Sequence, residues 1–328
     1  MKKGWLLILI TCCLLLSGCA RIGSLPAALE ATAVPGVSDP MPAAEAPESR
    51  SSSAQSVLWF RFESEECLAP AYRTINYGLN EAYELALVRA LIAGPDVRST
   101  GLSGLFPNGV RALSTSLEGR TLFVTFSEEL LNGYADEPAN WDTDSYWSKE
   151  IPLRRQLCMQ SLAATLTENC DVDRVQVMVQ SDSGEARRLT LGYYPETNGE
   201  VLPADPLWRD ETLLLTPQRT AGIILTALSN RDWQKLYLYI FSDSGERQEY
   251  ADFVVSMEQL PQLTAWTLSG GSASEDGRRF IFSLQGTVLL NGHTSRLENR
   301  ILRLHREEGV WKTSVELLQF AVEVSYER

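Results

Sequence analysis

The chain has 328 residues, 44% of them hydrophobic, and a formal net charge of −13. That length and apolar fraction allow two domains of ordinary size with real cores, while the acidic balance argues against a nucleic-acid partner and against electrostatic adhesion to anionic lipid. There are only two histidines, His293 and His305, and no Cys/His cluster has zinc spacing, so neither a metal centre nor a cofactor is expected.

The chain opens on Met1-Lys2-Lys3, a short positive start. An apolar run from Trp5 to Leu16 follows, and Leu16-Ser17-Gly18-Cys19 closes it. The run is too short to span a bilayer as a permanent helix. The pattern resembles a bacterial lipoprotein signal peptide with its lipobox. The resemblance implies a signal over 1–18, cleavage between Gly18 and Cys19, and diacylglycerol on the Cys19 thiol. An ordinary signal peptide in which Cys19 falls by chance is the alternative. The mature chain is then extracytoplasmic and tethered to the membrane through lipid on Cys19, since several acyl chains on one residue hold stably where one does not. Loss of Lys2 and Lys3 takes the formal charge from −13 to −15. Cys12 and Cys13 leave with the signal, and Cys67, Cys158 and Cys170 remain. Three thiols cannot all pair, so no disulfide framework is expected.

Residues 19–55 are rich in Ala, Pro and Ser and lack aromatic residues. They read as a lipid anchor and disordered tether spanning roughly 30–35 Å. A first folded unit follows over 56–200. Val57 to Phe62 is strand-like. Asn80 can cap a helix with the stripe Leu85, Val88 and Ile92, stopped by Gly94-Pro95. Gly109 to Phe126 reads as a hairpin turning at Glu118-Gly119. A second helix over about 150–168 places Cys158, Leu162 and Leu166 on one face, where Cys158 becomes a buried, unreactive thiol. Val175 to Val179 alternates as a half-buried strand with the three valines Val175, Val177 and Val179 inward.

Several patches of this unit occur in an order that resembles the GerMN domain of bacterial sporulation and spore germination proteins. They are Pro70-Ala71-Tyr72-Arg73, Leu87 to Pro95, Phe106-Pro107-Asn108-Gly109-Val110, Phe123 to Ser127, and Gln160 to Thr167 followed by Val172 to Val179. The resemblance covers 57–180 and implies a mixed sheet with two helices and a role in the cell envelope. Two departures stand out. The closing strand runs into Ser181-Asp182-Ser183-Gly184 rather than Asp-Gly, and an insert from Ala135 to Trp147 precedes the second helix. The signature is a folding signature and holds no nucleophile–base pair.

A second unit spans 210–328, with 200–215 and its Pro203 and Pro206 as a linker. Thr216-Pro217 starts a helix with the stripe Ile224, Leu225 and Leu228. Ser229 to Trp233 opens a second helical segment, and Leu236 to Phe241 fits helix or strand equally. Tyr250 to Leu260 is a third helix, stopped by Pro261. Strand-like runs follow at Leu263–Leu268, Arg279–Leu290, Arg296–Arg306 and Val310–Leu318. Helices then an antiparallel meander make the whole chain α+β. Through Ala227-Leu228-Ser229-Asn230-Arg231-Asp232-Trp233 the unit resembles the cone-shaped nuclear transport factor 2-like and SnoaL-like domains.

Candidate chemistry is sparse. Asp142 and Asp144, near Asp136 and Glu137, offer hard oxygen atoms suited to calcium but lack EF-hand spacing, so a solvated acidic loop is the plainer reading. Trp141, Tyr146 and Trp147 in the insert suit a recognition loop; packing over the second helix is the alternative. His293 and His305 are paired with no carboxylate in sequence. The stretch Ser181 to Glu185 recurs as Ser242 to Glu246, and both read as turns. If the first and last strands of the first unit are antiparallel neighbours, Cys67 and Cys170 can form a disulfide outside the cytoplasm; three free buried thiols are the alternative. The reading is a lipid-anchored binding or scaffolding protein of the cell envelope, without enzymatic activity, whose partner is an envelope protein or the cell wall. The alternative is a cell-wall enzyme or accessory using a pocket in the C-terminal domain, and a small-ligand-binding lipoprotein is a third reading.

Overall fold

A computed structural model describes residues 51–63, 65–97, 99, 101–194, 201–241 and 247–323. The signal, Cys19 and the tether up to residue 50 lie outside the described residues, as do residues 242–246 of the repeated Ser-Asp-Ser-Gly-Glu stretch. Among the described residues no helix is long and apolar enough to cross a membrane.

The first element is a long antiparallel hairpin of β1 (Ser51–Phe62) and β2 (Leu68–Gly78), paired from Ser51↔Gly78 to Arg61↔Leu68. Strand therefore begins at Ser51, inside the stretch read as tether. Its first residues lack apolar side chains, so the sequence shows no strand signal. Backbone pairing to β2, with Gln55 Nε2 donating to Thr74 Oγ1 at 2.7 Å, holds them instead. The short β3 (Leu102–Ser103) joins the other edge of β1 at Arg61 and Phe62.

Helix α1 (Tyr83–Ile92) starts after Ala82, so Asn80 is not its cap. Its buried face is Ala86, Leu87, Val88 and Leu91, turned from the expected stripe so that Leu85 and Ile92 lie only half-buried. The stop is as the sequence requires: Gly94 takes φ +85 and donates its N–H to Leu91 O. Strands β4 (Ala112–Glu118) and β5 (Thr121–Ser127) form the expected hairpin, with Gly119 at φ +59 in a two-residue loop. A long helix α2 (Trp147–Asn169) then crosses over to β6 (Arg174–Gln180), which lies parallel to β5. The sheet order is β4-β5-β6-β7, with β7 over Ala186–Arg188. Val175 and Val177 are buried as the alternation demands, and Val179 is half-buried. Gln176 on the opposite face is buried too, because residues 201–208 return over β6. There β8 (Leu207–Trp208) pairs with Arg174 and Val175, and Gln176 Nε2 donates to Ala204 O. The stretch read as a linker is thus laid along the sheet, and Leu214 and Leu215 are buried beside Leu68.

Helix α2 sits between the β1–β2 hairpin and the mixed sheet, with Leu157, Cys158, Met159, Leu162, Ala163, Ala164 and Leu166 fully buried. One of its faces satisfies the open edge of β1. Asn169 accepts from Val57 N at 2.9 Å and donates to Val57 O at 2.7 Å. Thr165 Oγ1 accepts from Trp59 N at 3.1 Å, and Ser161 Oγ donates to Trp59 O. Four backbone groups of a strand edge are therefore paired by side chains of a helix.

Helix α3 (Pro217–Asn230) has the expected Thr216 cap, whose hydroxyl accepts from Arg219 N, with Pro217 at its first turn. Asp232 caps α4 (Trp233–Leu238), and α5 (Tyr250–Glu258) ends before Pro261. Beyond α4 the chain turns extended, and Ile240 bridges Thr313. An antiparallel meander follows: β9 (Gln262–Ala273), β10 (Arg279–Leu290), β11 (His293–Glu307) and β12 (Val310–Lys312), in the order β12-β11-β10-β9. The run Val310–Leu318 is strand only to Lys312. Ser314 then caps helix α6 (Val315–Val322), which buries Val315, Leu318, Ala321 and Val322. Its stripe recurs at helical spacing, but a strand-like start hid it.

Two apolar clusters form the core. The second gathers α3 to α6 and the meander around Phe62, Cys67 and Ala69, which come from the tip of the first hairpin. The β11–β12 turn rests on β2, where a Cβ on Gly309 (φ +95) would meet Pro70 O at 1.9 Å. Alongside, Arg306 lies 4.7 Å over the Tyr72 ring and donates to its hydroxyl.

Candidate functional site

The insert from Ala135 to Trp147 is held against the start of α2 by a chain of ionic contacts. Glu150, on the first turns of α2, is buried and pairs with buried Arg61 of β1, whose second nitrogen donates to Oε2 at 3.1 Å. Arg154, one turn on, donates to Glu150 at 2.6 Å and to both oxygens of Asp136 at 2.7 and 2.9 Å. The Arg154 guanidinium also lies over the rings of Tyr134 and Trp147 at 5.5 and 5.4 Å. Burial pushes the Glu150 carboxyl up, but hydrogen bonds from Arg61 and Arg154 outweigh it and hold the group below its usual value. Asp136 is lowered by its bonds from Arg154.

Each acidic residue of the insert that could have served calcium has a fold-building partner except exposed Asp142. Asp144 accepts from the N–H groups of Tyr146 and Trp147 at 2.9 and 3.0 Å, so it serves free donors at the start of the helix and its carboxyl is lowered by those bonds. Glu137 accepts from Tyr134 N at 2.9 Å. Among the described residues no group of three His, Cys, Asp or Glu side chains converges on a metal position.

The three aromatic residues divide. Trp141 is half-buried, with the Arg155 guanidinium 5.8 Å over its ring. Trp147 is half-buried under Arg154. Tyr146 stands out at 57% exposure, its ring edge-on to Trp147 with centroids 5.2 Å apart. It forms one wall of an open groove of about 700 Å³ that also includes Glu66, Ser145, Lys149, Leu153 and Gln156, with the Arg61–Glu150 pair in its floor. Pro152 supplies no N–H to the carbonyl of Ser148, and both line the groove. An exposed phenol ring, an ammonium group, an amide and hydroxyls around a rigid ion pair suit recognition of a polar partner. The ion-pair chain escaped the sequence reading. Its one visible trace is the i,i+4 spacing of Glu150 and Arg154, while Arg61 hides in an apolar strand.

The expected Cys67–Cys170 disulfide is absent; all three described thiols are free. The strands meant to be neighbours, β1 and β6, lie in different sheets with α2 between them. Cys170 follows Asn169 at the Val57 level of β1, whereas Cys67 sits at the Phe62 level, about 17 Å further along the strand. Burial raises the Cys67 and Cys170 thiols to about 12 each, and fully buried Cys158 is raised as well. Gly18 and Cys19 lie outside the described residues. His293 is exposed at the start of β11, and His305 stacks on Phe241 at 4.8 Å.

Residues 66–184 match the family model Germane, described as sporulation and spore germination. Among solved structures, the tandem GerMN domains of the sporulation protein GerM from Bacillus subtilis share 17% identity at a TM-score of 0.30, covering 52% of this chain and 49% of that one. The first GerMN domain of the same protein shares 17% at 0.28, covering 48% and 98%. A Clostridium perfringens protein described as a candidate lipoprotein shares 16% at 0.24, covering 39% and 74%. The chain spans about half the length of the tandem structure. No curated protein matches it significantly in sequence. The family match ends before α3, and the cone-like resemblance of the C-terminal part is not confirmed by it. The match over residues 66–184 takes in β2, both helices and most of the mixed sheet, begins after β1, and fits a protein of sporulation or germination.

Proposed function

We infer that this is a lipid-anchored, extracytoplasmic binding or scaffolding protein of the cell envelope, acting in sporulation or spore germination. The lipobox Leu16 to Cys19 supports the anchor, and the Germane match supports the process. The observation that carries the binding role is the insert. It is pinned through Asp136, Arg154 and Glu150 to buried Arg61, yet presents Tyr146 to solvent beside a polar groove. A rigid support under an exposed aromatic residue lowers the ordering cost of binding.

Two measurements test this reading. Cys19→Ala should leave uncleaved precursor and abolish labelling by a fatty-acid analogue; equal labelling of the variant sinks the anchor. A photo-crosslinking residue at Tyr146, activated in intact membranes, should capture an envelope protein or cell-wall fragment. The same residue at exposed Leu117 on β4 should not. Equal capture at both positions, or none at Tyr146, removes the insert as the recognition surface.

A further inference from the structure

We propose that the free edge of β9 pairs antiparallel with β9 of a second copy of this chain, with the two-fold axis at Thr267. The open edges of β2 and β4 carry the usual guards. β2 includes Pro70 and Arg73 and is overlaid by the Gly309 turn, and β4 is seven residues long and ends on Glu118. β9 is twelve residues long, Gln-Leu-Thr-Ala-Trp-Thr-Leu-Ser-Gly-Gly-Ser-Ala, with no proline and no charge. Among the described residues β10 is its sole strand neighbour, and its far edge is met by Ser229 Oγ donating to Leu263 O at 2.8 Å. Its ladder to β10 is irregular near Thr264 and at Gly270-Gly271, so the usable edge is the regular run Ala265–Ser269 between them.

That run matches itself. Trp266 and Leu268 point to the core side of the sheet, since Leu268 lies opposite buried Leu284, yet both are only half-buried. Ala265, Thr267 and Ser269 are exposed on the other face. A two-fold axis at Thr267 sets Trp266 of each copy against Leu268 of the other on one face, and Ala265 against Ser269 on the other. Any residue-centred axis keeps the two faces matched, and Thr267 is the axis that uses the whole regular run Ala265–Ser269; an isologous contact closes at two copies. A partner recognised by charge finds nothing to read along β9. An uncharged seam is also where two chains of net charge −13 can approach with least repulsion.

The test uses the full chain purified in mild detergent. At the axis the two copies of residue 267 face each other with Cα atoms about 5 Å apart, within disulfide reach. The two copies of residue 269 are then about 13 Å apart. Mild oxidation of Thr267→Cys should give a dimer on a non-reducing gel, and Ser269→Cys and the unsubstituted chain should not. Sedimentation of the unsubstituted chain should return twice the chain mass, and Thr267→Lys, with an unchanged circular-dichroism spectrum, should return the single mass. A monomeric unsubstituted chain overturns the proposal, as does crosslinking that is absent at Thr267→Cys or equal at both cysteines.

Discussion

Strands β1 and β9 are both twelve residues long, and each has one edge with little strand pairing. The two edges are treated in opposite ways. Along β1, the groups at Val57 and Trp59 are taken up by Asn169, Thr165 and Ser161 of α2, and Arg61 at the far end is taken up by Glu150. Along β9 a single serine reaches one carbonyl. A buried edge must be satisfied inside the chain because water cannot reach it. An exposed edge needs no partner to be stable, so it remains available to another chain.

The sharpest break of this contrast is at Glu150. Glu150→Ala leaves the Arg61 guanidinium buried without its carboxylate and should cost about 3 kcal/mol, the low end for a buried pair because the groove admits water. Denaturant unfolding measures it. The same pair sets a pH dependence. The folded-state value of Glu150 is depressed from an ordinary 4.5. Its stabilisation is therefore fully present above that pH and is lost as pH falls through the lower folded value. Resistance to thermal unfolding should weaken below about pH 4.5, and Glu150→Gln should flatten that slope. An unchanged slope assigns the acid sensitivity elsewhere.

Asn169→Ala removes the donor and acceptor that serve Val57 and should cost about 2 kcal/mol. Thr165→Val keeps the shape, leaves the Trp59 N–H unpaired and should cost roughly 1–2 kcal/mol. Loss of amide protection at Val57 in the first variant and at Trp59 in the second, read by hydrogen exchange, separates edge unpairing from general loosening. At the β9 edge Thr267→Lys, compared with the unsubstituted chain at a dilution where both are monomeric, should change stability by less than about 0.5 kcal/mol, since its side chain is exposed and only its backbone is paired, with Gln285. A destabilisation as large as that of Thr165→Val would show that β9 is covered and erase the contrast.

Elements with strong local signals were legible in the sequence: the Gly94-Pro95 stop, the Glu118-Gly119 hairpin, the Thr216-Pro217 start and the apolar core of α2. Elements whose cause is tertiary were not. Ser51 to Gln55 became strand because β2 lies beside them. Asn80 does not cap α1, because the helix starts after Ala82. Val315 to Val322 became helix once Ser314 capped it. At the candidate site the aromatic residues were visible, but only the fold chose between them, burying part of Trp141 and Trp147 under arginines and leaving Tyr146 in solvent.

The sequence by itself determined the class of the chain. Spacing of apolar residues, turn chemistry and ordered short patches depend on neighbours within a few positions, and they were enough for an α+β chain and the Germane region. What only the tertiary structure decided depends on residues far apart in the chain. The Arg61–Glu150 pair joins positions 89 apart, and the Asn169 bonds to Val57 span 112. Likewise the three thiols stay apart because α2, not a shared ladder, separates β1 from β6. No local pattern encodes such distances, because they follow from which faces the helices and strands bury against one another.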